Sequence, residues 1–376
     1  MKLLFLHSIS SGSGANVHIG EFLAAAQALG AEVRCVGQAA ESVRVQGRRI
    51  PIRVPQFCKD LVYLAGDRKY KARALAVARD WRPDAVYFRG APYMTYGRAV
   101  AAELGLPLFY ELNAPYPDEH IQYNGGRFEG IARAGERANR REARRIFTVS
   151  RQLAAIVTAD GVPAEKVVVV PNAVRTERFD AAPRADDGAV RFGFVGSLQV
   201  WHGLEILLQA FDEVLAAEPA ATLDIVGDGP LAGTLAERLQ TSPHRDRMRW
   251  RGALPGDRIP GFLQEMDVLL APYPPLERFY FSPLKLFEYM AAGRAIVASE
   301  IGQIADVLTD GKDARLLPPG DAGALATCCR ALVGDAGERR RLGAAARVTA
   351  ASHTWDENAR IILRHVHDVL TEGTAS

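Results

Sequence analysis

The feature that most limits what this chain can become is a rhythm. Short apolar runs alternate with longer amphipathic stretches, and the alternation occurs twice, separated by one polar interruption. Apolar runs bounded by turn residues suit strands buried on both faces, and the 3.6-residue periodicity between them suits covering helices. The pattern predicts an α/β chain of two doubly wound parallel sheets. In the first half, strands are expected at 2–7, 32–36, 84–88, 107–112, 145–149 and 166–170, with helices at 17–29, 68–80, 95–104 and 130–143. In the second, strands are expected at 190–195, 222–226, 248–251, 267–271 and 295–299. Helices are expected there at 202–217, 259–264, 283–292, 303–308, 321–334, 337–350 and 355–370. The polar run 181–189 reads as a linker, and 376 residues exceed one ordinary core. Domains are therefore expected at 1–180 and 188–352, facing each other across a cleft at their strand ends, where open α/β sheets bind ligands.

Composition narrows the class. Hydrophobic residues make up 48% and charged residues 24%, which excludes extended disorder. The net charge of +2 hides an asymmetry: residues 1–180 hold 26 Lys and Arg against 18 Asp and Glu, and the remainder holds 20 against 26. A basic first half suits an anionic partner. The four cysteines lack metal-ligand spacing, and no Asp-x-Asp, phosphate-binding Walker loop, Gly-x-Ser-x-Gly or nucleic-acid motif occurs. Without a leader or an apolar run of about 20 residues, a cytoplasmic protein is expected. Its Ala- and Arg-rich composition points to a bacterial source.

Residues 279–293, Phe-Tyr-Phe-Ser-Pro-Leu-Lys-Leu-Phe-Glu-Tyr-Met-Ala-Ala-Gly, carry the most chemistry. Ser282 reads as a helix N-cap, Pro283 as the first helical residue and Gly293 as the stop. Lys285 then sits in the first turn, where the helix dipole disfavours a cation by roughly 0.3–1 kcal/mol. The free N–H groups of Leu284 and Lys285, which follow Pro283, and the ammonium together suit a diphosphate. Glu288, one turn on, suits hydroxyls attached to it. The competing reading is a solvated i,i+3 pair between Lys285 and Glu288.

Other loops follow strands. Gly12-Ser13-Gly14 opens a helix, and Gly14 is a candidate phosphate contact, although Val17 replaces the third glycine of a dinucleotide fingerprint. Ser197 and His202 flank a second such loop and are candidate diphosphate contacts. Gly227, with Arg251 and Gly252, is a candidate nucleobase frame, against plain turns and packing. Glu111 and Asn113 end a strand of the first half and are expected to face ligand rather than core, with His18, Arg89 and His120 as possible companions. Arg133, Arg137, Arg140, Arg141, Arg144 and Arg145 form a helical stripe suited to anionic lipid or a phosphorylated acceptor, or to a solvated face.

Taken together, Phe194-Val195-Gly196-Ser197-Leu198, Val226-Gly227-Asp228-Gly229-Pro230, Asp267–Pro272, Ser282–Gly293 and Val170-Pro171-Asn172-Ala173-Val174 resemble, in this order, the family 4 glycosyltransferases. The resemblance implies a GT-B fold with an acceptor-binding first domain, a donor-binding second domain and a closing helix at 355–370 that returns to the first. It implies a retaining, metal-independent transfer of a sugar from a UDP- or GDP-sugar to a saccharide, lipid-linked or small-molecule acceptor, without a cofactor, in bacterial glycan biosynthesis. Glu288 matches the ribose-binding glutamate. Tyr280 stands where a glutamate usually meets the donor sugar, beside Phe281 and Ser282. Ser197 and His202 replace the usual arginine and lysine, and Asn113 replaces a histidine near the reacting carbon. By the same resemblance Lys285, Asn113 and Glu111 are the candidate catalytic residues. The replacements leave open a non-catalytic partner subunit, or a sugar-nucleotide epimerase or hydrolase.

Overall fold

The computed structural model describes residues 1–7, 14–37, 56–180 and 187–372; Gly12-Ser13 and most of the expected linker fall outside them. The chain divides into two compact units, one of Met1–Pro171 with Trp355–Ser376 and one of Asn172–Thr354.

The first unit is a six-stranded sheet of β1 (Lys2–His7), β2 (Glu32–Gly37), β3 (Ala85–Arg89), β4 (Leu108–Leu112), β5 (Arg145–Thr148) and β6 (Val167–Val169), in the order β2-β1-β3-β4-β5-β6. All its pairings are parallel. Leu3 to Leu6 are fully buried, as a strand covered on both faces requires. Tyr87 of β3 stacks on Phe5, Phe22 and Phe147 with centroids 5.2, 5.3 and 5.8 Å apart, joining sheet to helix. The C-terminal helix Trp355–Glu372 packs on the helix Gly14–Ala28.

The second unit is a parallel sheet of β7 (Val190–Val195), β8 (Ala221–Val226), β9 (Met248–Trp250), β10 (Val268–Ala271), β11 (Ala295–Ser299) and β12 (Arg315–Leu317), ordered β12-β11-β10-β7-β8-β9. Along β10, Val268 and Leu270 enter one hydrophobic cluster while Leu269 and Ala271 enter the other, the period-two alternation of a doubly wound sheet.

In each sheet the chain builds outward on one side and then reverses, so a topological switch lies between β1 and β3 and again between β7 and β10. Ligands of open α/β sheets bind at the carboxyl ends of strands at such points.

Several expectations need correcting. The helix expected at 68–80 runs Gln56–Trp81. Asp60 of its first half is fully buried and accepts from Tyr93 Oη at 3.2 Å and Arg127 N–H at 2.9 Å, with His120 Nε2 at 2.9 Å. These partners are remote in sequence and lend no periodicity to the segment. Helices Tyr116–Asn124 and Arg151–Ala159 and strand β12 were not expected. β12 has three residues, too few to show a period, and forms by pairing with β11. Among the described residues no helix is long and apolar enough to cross a membrane.

Candidate functional site

The helix Leu284–Ala292 begins one residue later than expected: Pro283 is its N-cap, with extended backbone at φ −69° and ψ 114°. Ser282 does not cap, because its hydroxyl accepts the Asn172 N–H at 2.9 Å while its carbonyl accepts Asn172 Nδ2 at 2.6 Å. Asn172 thereby staples the segment entering the helix, a role no short-range pattern announces. Gly293 ends the helix in the left-handed conformation, as expected.

Tyr289 fixes this helix against the β7/β10 switch. Its hydroxyl accepts Val195 N–H at 2.8 Å and faces the Leu270 carbonyl at 3.4 Å. One turn earlier, Lys285 is only 8% exposed, and its Nζ has no hydrogen-bond partner among the described residues. It lies 4.3 Å from the Phe194 ring centroid and 5.2 Å from that of Tyr273. Burial pushes the amine down from 10.5 to about 7. No ion pair joins it to Glu288 among the described residues, so the solvated-pair reading fails. Glu288 is half-buried instead, and burial raises its carboxyl from 4.5 to about 7, with Arg178 opposing.

The loop after β7 closes over the amine. A Cβ at Gly196 would stand 2.8 Å from Lys285 Nζ and 3.4 Å from His202 Nδ1, so glycine there is what lets the cation reach the loop. Gly227, at φ 143°, lies so near that an added Cβ would fall 1.8 Å from the Gly196 carbonyl oxygen. His202 occupies a short turn, Val200–His202, ahead of the helix Leu204–Ala217 rather than on it. Its Nδ1 hydrogen-bonds the Ser197 carbonyl, and burial, then Lys285, lowers the ring from 6.5 to about 3. A carbonyl only accepts, so Nδ1 carries the proton and the neutral ring offers Nε2 as an acceptor. The expectation that His202 donates to an anion therefore holds only after it gains a second proton.

Ser197 is exposed beside this loop. Tyr280 is 9% exposed and Phe281 half-buried; Phe281 packs on Phe279 with centroids 4.1 Å apart. At the expected nucleobase frame, Gly227 N–H donates to the Gly252 carbonyl at 2.8 Å and its own carbonyl accepts Trp250 Nε1 at 2.8 Å. The Arg251 guanidinium meets Asp224 at 2.8 Å and Glu265 at 3.0 Å. Gly14 stands at the exposed start of its helix.

In the first unit the expectation that Glu111 faces ligand is overturned, for it is 3% exposed. Oε1 accepts from Arg89 Nη1, from His18 Nε2 at 3.0 Å and from Asn113 Nδ2 at 2.7 Å; Oε2 accepts from Tyr87 Oη at 2.9 Å. Burial alone would raise this carboxyl, but Arg89, His18 and Asn113 hold it well below the usual carboxylate range. Glu111 is thus the buried hub of four protein donors. His18 and Arg89 join it, whereas His120 is committed to Asp60. The arginine stripe is also broken: Arg140 is 4% exposed and bonded to Glu136 and Asp160. Arg137, Arg141 and Arg144 remain exposed.

Two family models match in tandem: Glycosyltransferase Family 4 over residues 12–178 and Glycosyl transferases group 1 over residues 189–335. The chain belongs to the family 4 glycosyltransferases. It is similar to the 2-deoxystreptamine N-acetyl-D-glucosaminyltransferase of Streptomyces fradiae, 27% identical over 81% of this chain and 76% of that protein. It is 30% identical to the phosphatidyl-myo-inositol mannosyltransferase of Mycobacterium leprae over 55% of each chain. Among solved structures, HepE of Anabaena in complex with UDP covers 98% of this chain and 100% of its own at 18% identity, TM-score 0.72. Sucrose-phosphate synthase of Thermosynechococcus elongatus covers 99% and 100% at 16% identity, TM-score 0.75. This family 4 enzyme therefore has the two-domain GT-B fold, and its activity is glycosyl transfer from a nucleotide-sugar donor.

Proposed function

We propose that this family 4 glycosyltransferase moves a sugar from a UDP-sugar to an acceptor hydroxyl with retention of anomeric configuration and without a metal ion. The observation that carries the donor site is the Lys285 amine, buried over Gly196 at the start of a helix and without a hydrogen-bond partner among the described residues. An uncompensated buried cation is costly unless a ligand supplies the counter-charge. A diphosphate does so, and it also takes up the amides of Leu284 and Lys285. In this reading Ser197 and His202 line the diphosphate. Glu288 accepts from the ribose hydroxyls, and Tyr280, Phe281 and Ser282 bound the donor sugar. The base lies along Gly227, Arg251 and Gly252. UDP is favoured over GDP because HepE binds UDP and UDP-glucose.

As the bond from the anomeric carbon to the diphosphate oxygen breaks, charge builds on the leaving group, and Lys285 with the helix amides stabilises it. The acceptor oxygen attacks from the same face and its proton passes to the departing phosphate. In this reading Asn113 meets the acceptor, its side chain oriented by the hydrogen bond that Nδ2 donates to Glu111 at 2.7 Å. The sequence has no Asp-x-Asp to join a cation to the diphosphate, and in this reading Lys285 and the helix amides supply that charge instead. Arg137, Arg141 and Arg144 suit peripheral contact with an anionic membrane surface.

A thermal-shift series across UDP-, GDP-, ADP- and dTDP-sugars tests the donor. Stabilisation by a UDP-sugar, abolished in Lys285→Ala, is expected; stabilisation by GDP-sugars alone overturns the base assignment. Proton NMR of the product then reads the anomeric configuration.

A further inference from the structure

Tyr273 stands two residues past the carboxyl end of β10, at the β7/β10 switch of the second unit. Its backbone is bolted in place. The N–H donates to Ser299 Oγ at 2.8 Å, and the carbonyl accepts from Ser299 Oγ at 2.9 Å and from the Gly320 N–H at 3.1 Å. Its ring is fixed as well, meeting Phe279 edge-on with centroids 5.0 Å apart, His202 at 5.9 Å and Phe281 at 6.0 Å. Tyr273 is 1% exposed, yet its hydroxyl has no hydrogen-bond partner among the described residues. A phenylalanine would fill the same place without burying a polar atom. A buried hydroxyl left unmatched is unfavourable and rare, and it marks a place where a ligand atom completes the bond.

The neighbouring charge decides what kind of atom that is. The Lys285 ammonium, likewise without a hydrogen-bond partner among the described residues, lies 5.2 Å from the Tyr273 ring centroid. Burial pushes the phenol well above its ordinary 10, so it stays protonated and can donate. One enclosure thus holds a cation and a neutral O–H donor, both buried and both unmet. An anion carrying several oxygens satisfies the two together, as a diphosphate does. A sugar hydroxyl would satisfy the phenol but leave the ammonium without a counter-charge.

We propose that Tyr273 is a further catalytic residue of the transfer, its Oη donating a hydrogen bond to a diphosphate oxygen of the donor beside Lys285. This rests on the reading that places the donor diphosphate at Lys285, and it adds a neutral donor to that site. As the anomeric C–O bond breaks, its electron pair passes to the diphosphate oxygen and the hydrogen bond from Oη strengthens. The phenol keeps its proton throughout. Because Ser299 and Gly320 already fix the backbone, the donor is in place before charge develops, which is what makes such a group effective.

The test compares the full-length wild type with Tyr273→Phe. Without nucleotide the variant should be at least as stable as wild type, since it loses no bond. Its affinity for UDP, read by calorimetry, should fall roughly 10- to 100-fold, the loss of one hydrogen bond to a charged group. UDP release from the UDP-sugar that stabilises wild type most should slow by about 100-fold at saturating donor. A variant that binds UDP as tightly as wild type overturns the proposal, as does an unchanged rate at saturation. So does a nucleotide-free variant that unfolds more than about 3 °C below wild type, because the hydroxyl would then have a partner inside the protein. Weaker binding of the UDP-sugar with UDP binding intact assigns the phenol to the sugar and overturns it too. Failure of the wild type to bind UDP or any UDP-sugar overturns the donor reading instead.

Discussion

Lys285→Met should stabilise the protein while disabling it. Burial lowers the amine from 10.5 to about 7, and at 1.36 kcal/mol for each tenfold that sets a ceiling of about 5 kcal/mol on the cost of folding with it charged. The contacts with the Phe194 and Tyr273 rings offset roughly 0.5–2 kcal/mol. Methionine keeps the alkyl stem and the packing, so a net gain of about 2–4 kcal/mol is expected, roughly 4–10 °C in Tm for a unit of this size. The sign with pH follows from proton counting. Between pH 7 and 10.5 the unfolded chain binds the proton that the folded chain has lost, so wild-type stability climbs across that window. The variant's advantage is therefore full at or below pH 7 and shrinks toward pH 10. Binding moves the other way. Losing one charge-assisted contact, about 1.5–3 kcal/mol, lowers nucleotide-sugar affinity by roughly 10- to 100-fold. In the wild type, binding above pH 7 must return a proton to the amine, so about one proton is taken up per ligand; the variant takes up none. Calorimetric unfolding at pH 6.5 and 9, with titration in buffers of different ionisation enthalpy, reads all of this. A variant less stable than wild type at pH 6.5 that keeps wild-type affinity would refute the reasoning.

Glu111→Gln leaves Arg89 buried without its counter-charge, and a loss of about 3–5 kcal/mol in urea unfolding is expected. Because the folded-state carboxyl is held low, the Glu111 contribution is present above the ordinary value of 4.5 and drains away only in acid below it. Glu288→Gln should remove a slope of opposite sign: its raised carboxyl makes wild-type stability fall as pH rises from 4.5 to about 7, and a pH series of unfolding midpoints shows whether that slope disappears. Gly203→Ala sets a Cβ 1.5 Å from the Pro272 carbonyl oxygen at φ 71°, and soluble expression should collapse or Tm fall by at least about 5 °C. Chelation with EDTA should leave transfer rates unchanged, and restoration of a lost rate by added Mg²⁺ or Mn²⁺ would overturn metal independence.

Much of the fold was legible in the sequence because buried parallel strands must be apolar on both faces. Leu3 to Leu6 and Val268 to Ala271 announce themselves without reference to any partner. The turn at Gly227 and the helix stop at Gly293 were equally readable, since those residue types are demanded locally, whereas the helix start was misplaced by one residue because Ser282 is held by Asn172. Lys285 was visible as a cation in an unfavourable turn. Its burial, its lack of a partner among the described residues and its contacts with Phe194 and Tyr273 were not, because they depend on Phe194 of a strand about 90 residues away and on how the segment after β10 folds back over the helix. The same distance hid the Asn172–Ser282 staple, the burial of Arg140 beside Asp160, and Asp60 within a helix that shows no period. Glu111 is the sharpest case. The sequence by itself determined that a carboxylate ends β4, and only the register of parallel strands, with a helix laid across them, decided that Arg89, His18, Asn113 and Tyr87 converge on it. Local chemistry chooses residue types, but the electrostatic state of a group is set by what the fold brings within a few ångströms of it.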